Sequence, residues 1–331
     1  MKTFSYEAAV DVEDAVAKLA SDPDAALLGG GTNLVDLMKL GAAQPSSLID
    51  ISKLPLDVID VDDDGSLRVG AGVSNSDLAV HPVVRSRYPV LSRAVLSGAS
   101  GQLRNMATVG GNLFQRTRCV YFMDSSKPCN KRDPGSGCPA IEGDHRNLAI
   151  LGASDHCVAT HPSDMAVALT ALDAVVEIVG PSGAHKLPIG ELYRLAGHDP
   201  DLDTNIGHDE IVTGISIPAL PQQAVSIYRK VRDRASYAFA LASVAAVLRV
   251  EDGQVTEARI ALGGVAHKPW RAITAEGELL GRSAKHEAFR EAIDLELRAA
   301  MPLRDNGFKV PLVRNLVTQT LTDLAHRSVQ Q

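Results

Sequence analysis

The sequence predicts an α+β protein, and three observations predict that class. Short apolar runs alternate with amphipathic helical periods through the first 60 residues. Hairpin patterns, with turn residues between alternating apolar strands, follow in the middle of the chain. The last third combines an antiparallel meander with three helical patterns, which predicts a sheet covered by helices.

The first elements are a helix, a strand, a glycine turn and a second helix. Asp11 is a good N-cap for a helix over 12–20, and residues 25–28 form a short apolar strand. The next helix stops at Gly41. Between strand and helix lies the first glycine turn, which reads Gly29-Gly30-Gly31-Thr32-Asn33.

This first turn has the chemistry of a phosphate site. Glycines let backbone N–H groups approach a phosphate closely, and the following helix adds its positive end. The turn is neither the dinucleotide pattern G-x-G-x-x-G nor a P-loop, because the last glycine of the former and the Gly-Lys-Ser/Thr of the latter are missing. A plain strand-to-helix turn is the alternative.

The middle of the chain carries a second glycine turn. A hairpin over 57–71 and helices over 75–82 and 88–97 lead to Thr108-Val109-Gly110-Gly111-Asn112. Two such turns could hold the two phosphates of one dinucleotide from opposite sides. Beyond the cysteines, the pattern predicts a helix over 164–172, a hairpin over 174–187, a short helix over 189–195 and a strand over 210–217.

The last third differs in kind and begins after the Pro- and Gln-containing stretch 218–223, which is a good domain boundary. Its predicted strands cover 225–231, 238–250 and 255–262. Its predicted helices cover 272–281, 285–301 and 310–327.

Length and charge exclude several classes of protein. A chain of 331 residues can build two or three domains. The net charge of -7 argues against a nucleic-acid-binding protein. No run of about 18 apolar residues is present, so no membrane span is predicted. The N-terminus lacks the apolar core of a signal peptide, so we expect no export signal in this chain.

All four cysteines fall in one irregular segment: Cys119, Cys129, Cys138 and Cys157. The segment is rich in Pro, Gly, Ser and charged residues and cannot bury a core of its own. Without an export signal, such cysteines are ligands or reactive thiols more often than disulfides. We therefore expect four thiolates to converge on one inorganic centre.

The residues alone leave the kind of centre open. The spacing contains no C-x-x-C pair, so it matches neither ferredoxin nor zinc-ribbon patterns, and a structural Zn²⁺ is the simplest interpretation. His145, His156 or His161 could replace a thiolate. The segment also carries basic side chains that would offset cluster charge, lie in solvent or face a partner, namely Arg116, Arg118, Lys127, Lys131 and Arg132.

No Ser-His-Asp set, H-E-x-x-H pattern or pair of catalytic carboxylates stands out. The sequence therefore predicts no catalytic residue for bond-making on an organic substrate. A nucleotide-binding module with a structural zinc and no redox role is the alternative from another class of protein.

The two turns, GGGTNLVDLMKLG (29–41) and ATVGGNL (107–113), followed by SDMAVALTALDA (163–174), resemble the FAD-binding subunits of molybdenum hydroxylases, the family of xanthine dehydrogenase and aldehyde oxidoreductase. The resemblance extends over 228–248 and 261–272. The cysteine-bearing insertion at 115–140 is similar to that of the bacterial periplasmic aldehyde oxidoreductase type, which holds a [4Fe-4S] cluster.

The resemblance implies a two-subdomain FAD-binding fold (PCMH-like), with domains at 1–55, 56–220 and 223–331, and a role for each matching residue. The first turn would wrap the FAD pyrophosphate, and its residues are Leu28, Gly29, Gly30, Gly31, Thr32, Asn33 and Leu34. Thr108, Gly111 and Asn112 would approach the cofactor from the second turn. Asp164 and Lys230 match residues near the flavin ring, where a cation stabilises the reduced, anionic form. The four cysteines would be the ligands of the [4Fe-4S] cluster.

The resemblance also implies partners: a large molybdenum-cofactor subunit that oxidises an aldehyde and a small subunit with [2Fe-2S] clusters, together a heterotrimer. This chain would pass electrons to an external acceptor. Flavin subunits of xanthine dehydrogenase or of a hydroxybenzoyl-CoA reductase are alternatives. We expect a periplasmic location if the chain is exported with a signal-bearing partner, and a cytoplasmic one otherwise.

Overall fold

A small parallel sheet opens the fold. The computed structural model describes residues 1–328, so the last three residues of the predicted C-terminal domain lie outside it. The sheet has the strand order β1-β3-β2. Asp11 accepts a bond from the backbone N–H of Asp14, which starts the first helix, and Gly41 ends the second with a φ of 75°. The elements are β1 (Ser5–Ala8), α1 (Val12–Ser21), β2 (Ala25–Leu28), α2 (Leu34–Leu40) and β3 (Ser47–Asp50).

A five-stranded antiparallel sheet follows, in the order β4-β5-β8-β6-β7. Its strands are β4 (Ile59–Val61), β5 (Leu67–Gly70), β6 (Val175–Gly180), β7 (Gly183–Pro188) and β8 (Ile211–Ile217). Its helices are α3 (Asn75–Val80), α4 (Pro82–Arg87), α5 (Pro89–Ser97), α6 (Gly101–Met106), α7 (Val109–Leu113), α8 (Val120–Met123), α9 (Asp164–Ala171) and α10 (Ile189–Leu192). The helix predicted over 75–82 ends earlier, because Pro82 starts a new helix.

The third sheet is antiparallel, with the order β12-β11-β10-β9. Side chains of β10 alternate: Val244 and Leu248 pack towards the C-terminal helices, whereas Ala245 and Val247 join the core around α9. Because β10 is buried on both faces, its sequence is almost continuously apolar. The elements are β9 (Val225–Val231), β10 (Ala242–Glu251), β11 (Gln254–Gly263), β12 (Trp270–Arg271), α11 (Ile273–Leu279), α12 (His286–Glu296) and α13 (Lys309–Ser328).

These sheets confirm the predicted α+β class and the antiparallel C-terminal sheet covered by helices. One strand is shorter than predicted: the apolar run over 238–250 becomes regular only at Ala242. The three sheets lie within the ranges predicted as domains, namely 1–55, 56–220 and 223–331. No helix among residues 1–328 is long and apolar enough to cross a membrane.

The cysteine segment is held by the C-terminal third of the chain. It contains only α8 and one 3-10 turn, Pro139–Ile141. Near its end, the N–H groups of Ile150 and Leu151 donate to the carbonyl of Val265, at 2.9 and 3.0 Å. The fully buried Lys309 donates from Nζ to the carbonyls of Leu148 and Gly264, at 2.9 and 2.8 Å.

Candidate functional site

The two glycine turns touch each other through their backbones. A Cβ atom on Gly30 would lie 1.7 Å from the carbonyl oxygen of Met106, directly before the second turn. A Cβ on Gly29 would lie 3.2 Å from Oγ1 of Thr108. The approach of the backbone before the second turn therefore requires glycine at position 30.

Polar side chains fix the two turns. Oγ1 of Thr108 accepts a bond of 3.1 Å from the N–H of Gly111 and caps α7. Oδ1 of Asn33 accepts one from the N–H of Arg116 at 3.1 Å. Nδ2 of Asn33 is buried without a hydrogen-bond partner within the described chain. Such an orphaned donor, beside a cavity, fits a polar ligand that would accept its bond.

A cavity of about 680 Å³ opens where the turns meet. Its wall includes most of the residues predicted for FAD, which are Gly29, Gly30, Gly31, Thr32, Asn33, Leu34, Thr108 and Gly111. Leu28 precedes these wall residues at the end of β2. Asn112 is engaged elsewhere, because its Oδ1 accepts from Oγ of Ser163 at 2.6 Å.

The four cysteines come together as predicted. All are free thiols and all line one small apolar cavity. Cys129 and Cys157 are buried, at 8% and 4% exposure, and the other two are half-buried. Four residues spread over 119–157 thus present sulfur atoms to a common space.

Burial and backbone donors act in opposite directions on the pKa of these thiols. Backbone N–H groups of Tyr121 and Phe122 point at the sulfur of Cys119. Burial raises the pKa of Cys119 and of Cys138, and it raises the pKa of Cys157 to about 11 despite the opposing charge of Lys131. The unliganded thiols of Cys119, Cys138 and Cys157 are therefore protonated at neutral pH, and a metal that binds them must displace their protons.

The structure does not favour a single-ion site. Among residues 1–328, no three His, Cys, Asp or Glu side chains are placed to hold one metal ion. The three candidate histidines are engaged elsewhere: Nε2 of His145 lies 2.7 Å from the carbonyl of Ile141, His156 contacts His198, and the ring of His161 packs against Tyr193.

Asp164 and Lys230 also meet. Nζ of Lys230 donates to Oδ2 of Asp164 at 2.7 Å and to the carbonyl of Ser97 at 3.1 Å. The hydroxyl of Tyr228 donates to the other carboxylate oxygen. Burial, followed by the charge of Asp164, holds the pKa of Tyr228 well above its usual value. Asp164 and Cys119 both line a further cavity of about 220 Å³, so Cys119 separates this cavity from the thiol cavity.

The irregular segment 199–208 also contributes to the site, and its contribution was not predicted from the sequence. It lies between α10 and β8, and its residues Thr204, Ile206, Gly207 and His208 line the large cavity. Lys131, which could have been a solvated side chain, is 2% exposed and bonds to this segment. The one available signal was the length of a polar connection inside a compact domain.

Comparison with known proteins identifies the family. The family described as the FAD binding domain in molybdopterin dehydrogenase matches residues 2–220, and the CO dehydrogenase flavoprotein C-terminal domain matches residues 226–325. The chain is 48% identical, over 98% of each chain, to the aldehyde oxidoreductase FAD-binding subunit PaoB of Escherichia coli (strain K12).

More distant relatives agree. The carbon monoxide dehydrogenase medium chain of Hydrogenophaga pseudoflava is 30% identical, over 91% of this chain and 88% of that one. A solved structure of carbon monoxide dehydrogenase from the same organism, lacking the Mo-pyranopterin moiety of its cofactor, superposes with a TM-score of 0.77 at 27% identity over 98% of both chains. The chain therefore belongs to the family of FAD-binding subunits of molybdopterin-dependent dehydrogenases.

Proposed function

We propose that this chain is the FAD- and [4Fe-4S]-binding, electron-transfer subunit of a heterotrimeric molybdenum-dependent aldehyde oxidoreductase. One observation carries the proposal: four thiols share one cavity, and one of them, Cys119, also lines the cavity of Asp164. The 48% identity to an aldehyde oxidoreductase subunit supports the aldehyde as substrate of the whole complex.

FAD fits the large cavity between the glycine turns. The turns offer backbone N–H groups to a pyrophosphate, and Nδ2 of Asn33 supplies a donor that has no partner in the described chain. Asp164, which is paired with Lys230, lines the separate cavity of about 220 Å³, and the resemblance expects the flavin ring near these two residues. Bound FAD supplies a two-electron acceptor that can pass electrons on singly.

The thiol cavity supports a [4Fe-4S] cluster over a single ion, because no three metal-ligating side chains among residues 1–328 are placed to hold one ion. A cluster needs four thiolates around a common space, and four cysteines line this cavity. Backbone N–H groups are directed at the sulfur atoms of Cys119 and Cys138. Lys131 adds a buried positive charge close to Cys157. Nearby positive charge favours the thiolate form and raises the reduction potential of such a cluster.

The substrate is oxidised on another subunit in this proposal. This chain binds cofactors, orients them and excludes water, and it relies on a large molybdenum-cofactor subunit and a small [2Fe-2S] subunit. Two exposed apolar side chains at the rim of the Asp164 cavity, Val120 and Phe239, suit a partner contact. The complex is periplasmic if a partner carries the export signal.

The test is the composition of the purified protein. We expect flavin absorption near about 450 nm together with about four iron atoms per chain, and both should respond to dithionite. Cys129→Ser should lose iron, whereas Ser125→Ala, an exposed change in the same segment, should keep it. A colourless protein containing zinc would contradict the proposal, as would unchanged iron in Cys129→Ser.

A further inference from the structure

The irregular segment 199–208, hereafter the strap, connects the walls of two cavities. At one end it is held by Lys131, whose Nζ donates to the carbonyl of Pro200 at 2.6 Å and to Oδ1 of Asp203 at 2.5 Å. The Lys131 side chain is 1% exposed and lines the thiol cavity two residues after Cys129. The strap is therefore anchored on the cysteine segment through an ion pair whose lysine is buried.

The other end of the strap forms part of the large cavity. Thr204 and His208 belong to its wall, and Nε2 of His208 lies 3.0 Å from the carbonyl of Asp22 in the N-terminal unit. A displacement of the strap would therefore change the shape of the cavity that fits FAD. Asp203, the side chain that Lys131 binds, directly precedes Thr204 in the strap.

Asp203 is bound from both sides. Nε of Arg116, a residue that lines the large cavity, donates to Oδ2 of Asp203 at 2.7 Å, while Lys131 takes the other oxygen. Nη2 of Arg116 also reaches the carbonyls of Lys131 and Asp201, at 3.4 and 3.3 Å. Burial alone would raise the pKa of Asp203, but the charges of Lys131 and Arg116 outweigh it and hold the pKa at about 2. The carboxylate is thus a fixed bridge between two cations at neutral pH.

We propose that the bridge Lys131–Asp203–Arg116 makes retention of FAD depend on metal loading of the thiol cavity. The inference rests on the proposed function and adds a coupling between its two cofactors. Ligation of Cys129 and Cys138 orders the segment that carries Lys131, and Lys131 then holds the strap in place before FAD arrives. Because the strap no longer has to be ordered by FAD, FAD binds more tightly, and the effect is reciprocal.

The experiment compares FAD affinity with and without iron in the intact complex. The iron-free form carries Cys129→Ser, which keeps the [2Fe-2S] clusters of the small subunit, and FAD is titrated into both forms after flavin removal. With the bridge otherwise wild-type, we expect FAD to bind about ten-fold more weakly to the iron-free form, within the usual range of coupling between sites. Asp203→Asn and Lys131→Met should bring this ratio close to one. Asp199→Asn and Lys127→Met, exposed changes in the same two segments, should leave it at about ten-fold.

The ratio separates coupling from simple damage. A bridge that only supported the local fold would weaken FAD binding equally in both forms, so the ratio in Asp203→Asn would stay at the wild-type value and overturn the inference. Equal FAD affinity of the two forms with the wild-type bridge would overturn it as well, while leaving the proposed function intact. Absence of iron or flavin from the wild-type protein would overturn both. Asp203→Asn is nearly isosteric, so it provides the readout if Lys131→Met does not fold.

Discussion

Gly30 has no room for a side chain because the second glycine turn occupies that room. The carbonyl of Met106 would lie 1.7 Å from a Cβ atom, which is a collision with backbone. Glycine-rich turns are usually explained by close approach to a phosphate. At this position the close approach is between two segments of the protein.

Gly30→Ala should therefore damage folding as well as cofactor binding. We expect a loss of about 2 kcal/mol in the free energy of unfolding, since the backbone of 106–107 must move, together with weaker FAD binding. Denaturant unfolding and FAD titration measure the two effects. Gly101→Ala is the matched control, because a Cβ there meets nothing within 4 Å. Wild-type stability in Gly30→Ala would show that the turns can separate at little cost.

Helix α9 and strand β9 are joined by a buried ion pair. Asp164 is the first residue of α9 and Lys230 lies near the end of β9, with side chains 8% and 4% exposed. The hydroxyl of Tyr228, two residues earlier on the strand, completes the partners of the carboxylate. The pair thus positions the C-terminal sheet against the helix that carries the predicted flavin contact.

Removing one member of this pair should be costly. Lys230→Met leaves the carboxylate of Asp164 without its cation, and breaking a buried pair in this way costs about 3–5 kcal/mol. The double variant Lys230→Met/Asp164→Asn should recover part of the loss, which denaturant unfolding will show. Lys186→Met, at a side chain 67% exposed, should change stability by less than about 0.5 kcal/mol. Equal stability of Lys230→Met and Lys186→Met would mean that the pair contributes nothing to docking.

At the scale of the whole molecule, local patterns predicted the C-terminal unit well and the N-terminal sheet poorly. Strands β10 and β11 are joined by a tight turn at Asp252-Gly253, so the residues that specify their pairing are close together in the sequence. Strand β1 pairs in parallel with β3 more than 40 residues away, and all its residues are exposed, so it has no apolar signal. No local pattern can specify such a pairing.

The candidate site was likewise predictable from the sequence only in part. The glycine turns and the cysteine segment were predictable because residues of one type cluster there in the sequence. The bridge at Asp203 was not, because it joins Arg116, Lys131 and Asp203, which are ordinary charged residues in two polar segments. Only the fold reveals that Lys131 is buried.

The molecule should lose stability in mild acid through His267. Burial, helped by the charge of Lys131, lowers the pKa of His267 to about 4, while an unfolded histidine titrates near about 6.5. Between about pH 6.5 and pH 4, His267 binds a proton in the unfolded chain but not in the folded chain. The free energy of unfolding therefore falls as the pH drops through this range. His267→Gln should remove about 2 kcal/mol of the loss between pH 8 and pH 5, measured by denaturant unfolding.

The exposed His286 provides the control for this pH dependence. His286→Gln should keep the wild-type slope, because this residue is exposed in the folded chain. A His267→Gln protein with the same acid loss as the wild type would assign that loss to other groups.

The attachment of the cysteine segment to the C-terminal third has a consequence for synthesis. The carbonyl of Leu148 and its neighbour are held by Asn306 and Lys309, near the far end of the chain. At ordinary elongation rates, a ribosome adds Cys157 to the chain roughly ten to thirty seconds before it adds those residues. The backbone at 148–149 can therefore form these bonds only when translation is nearly complete. The proposed metal would meet the cysteine segment in its final packing only after chain termination.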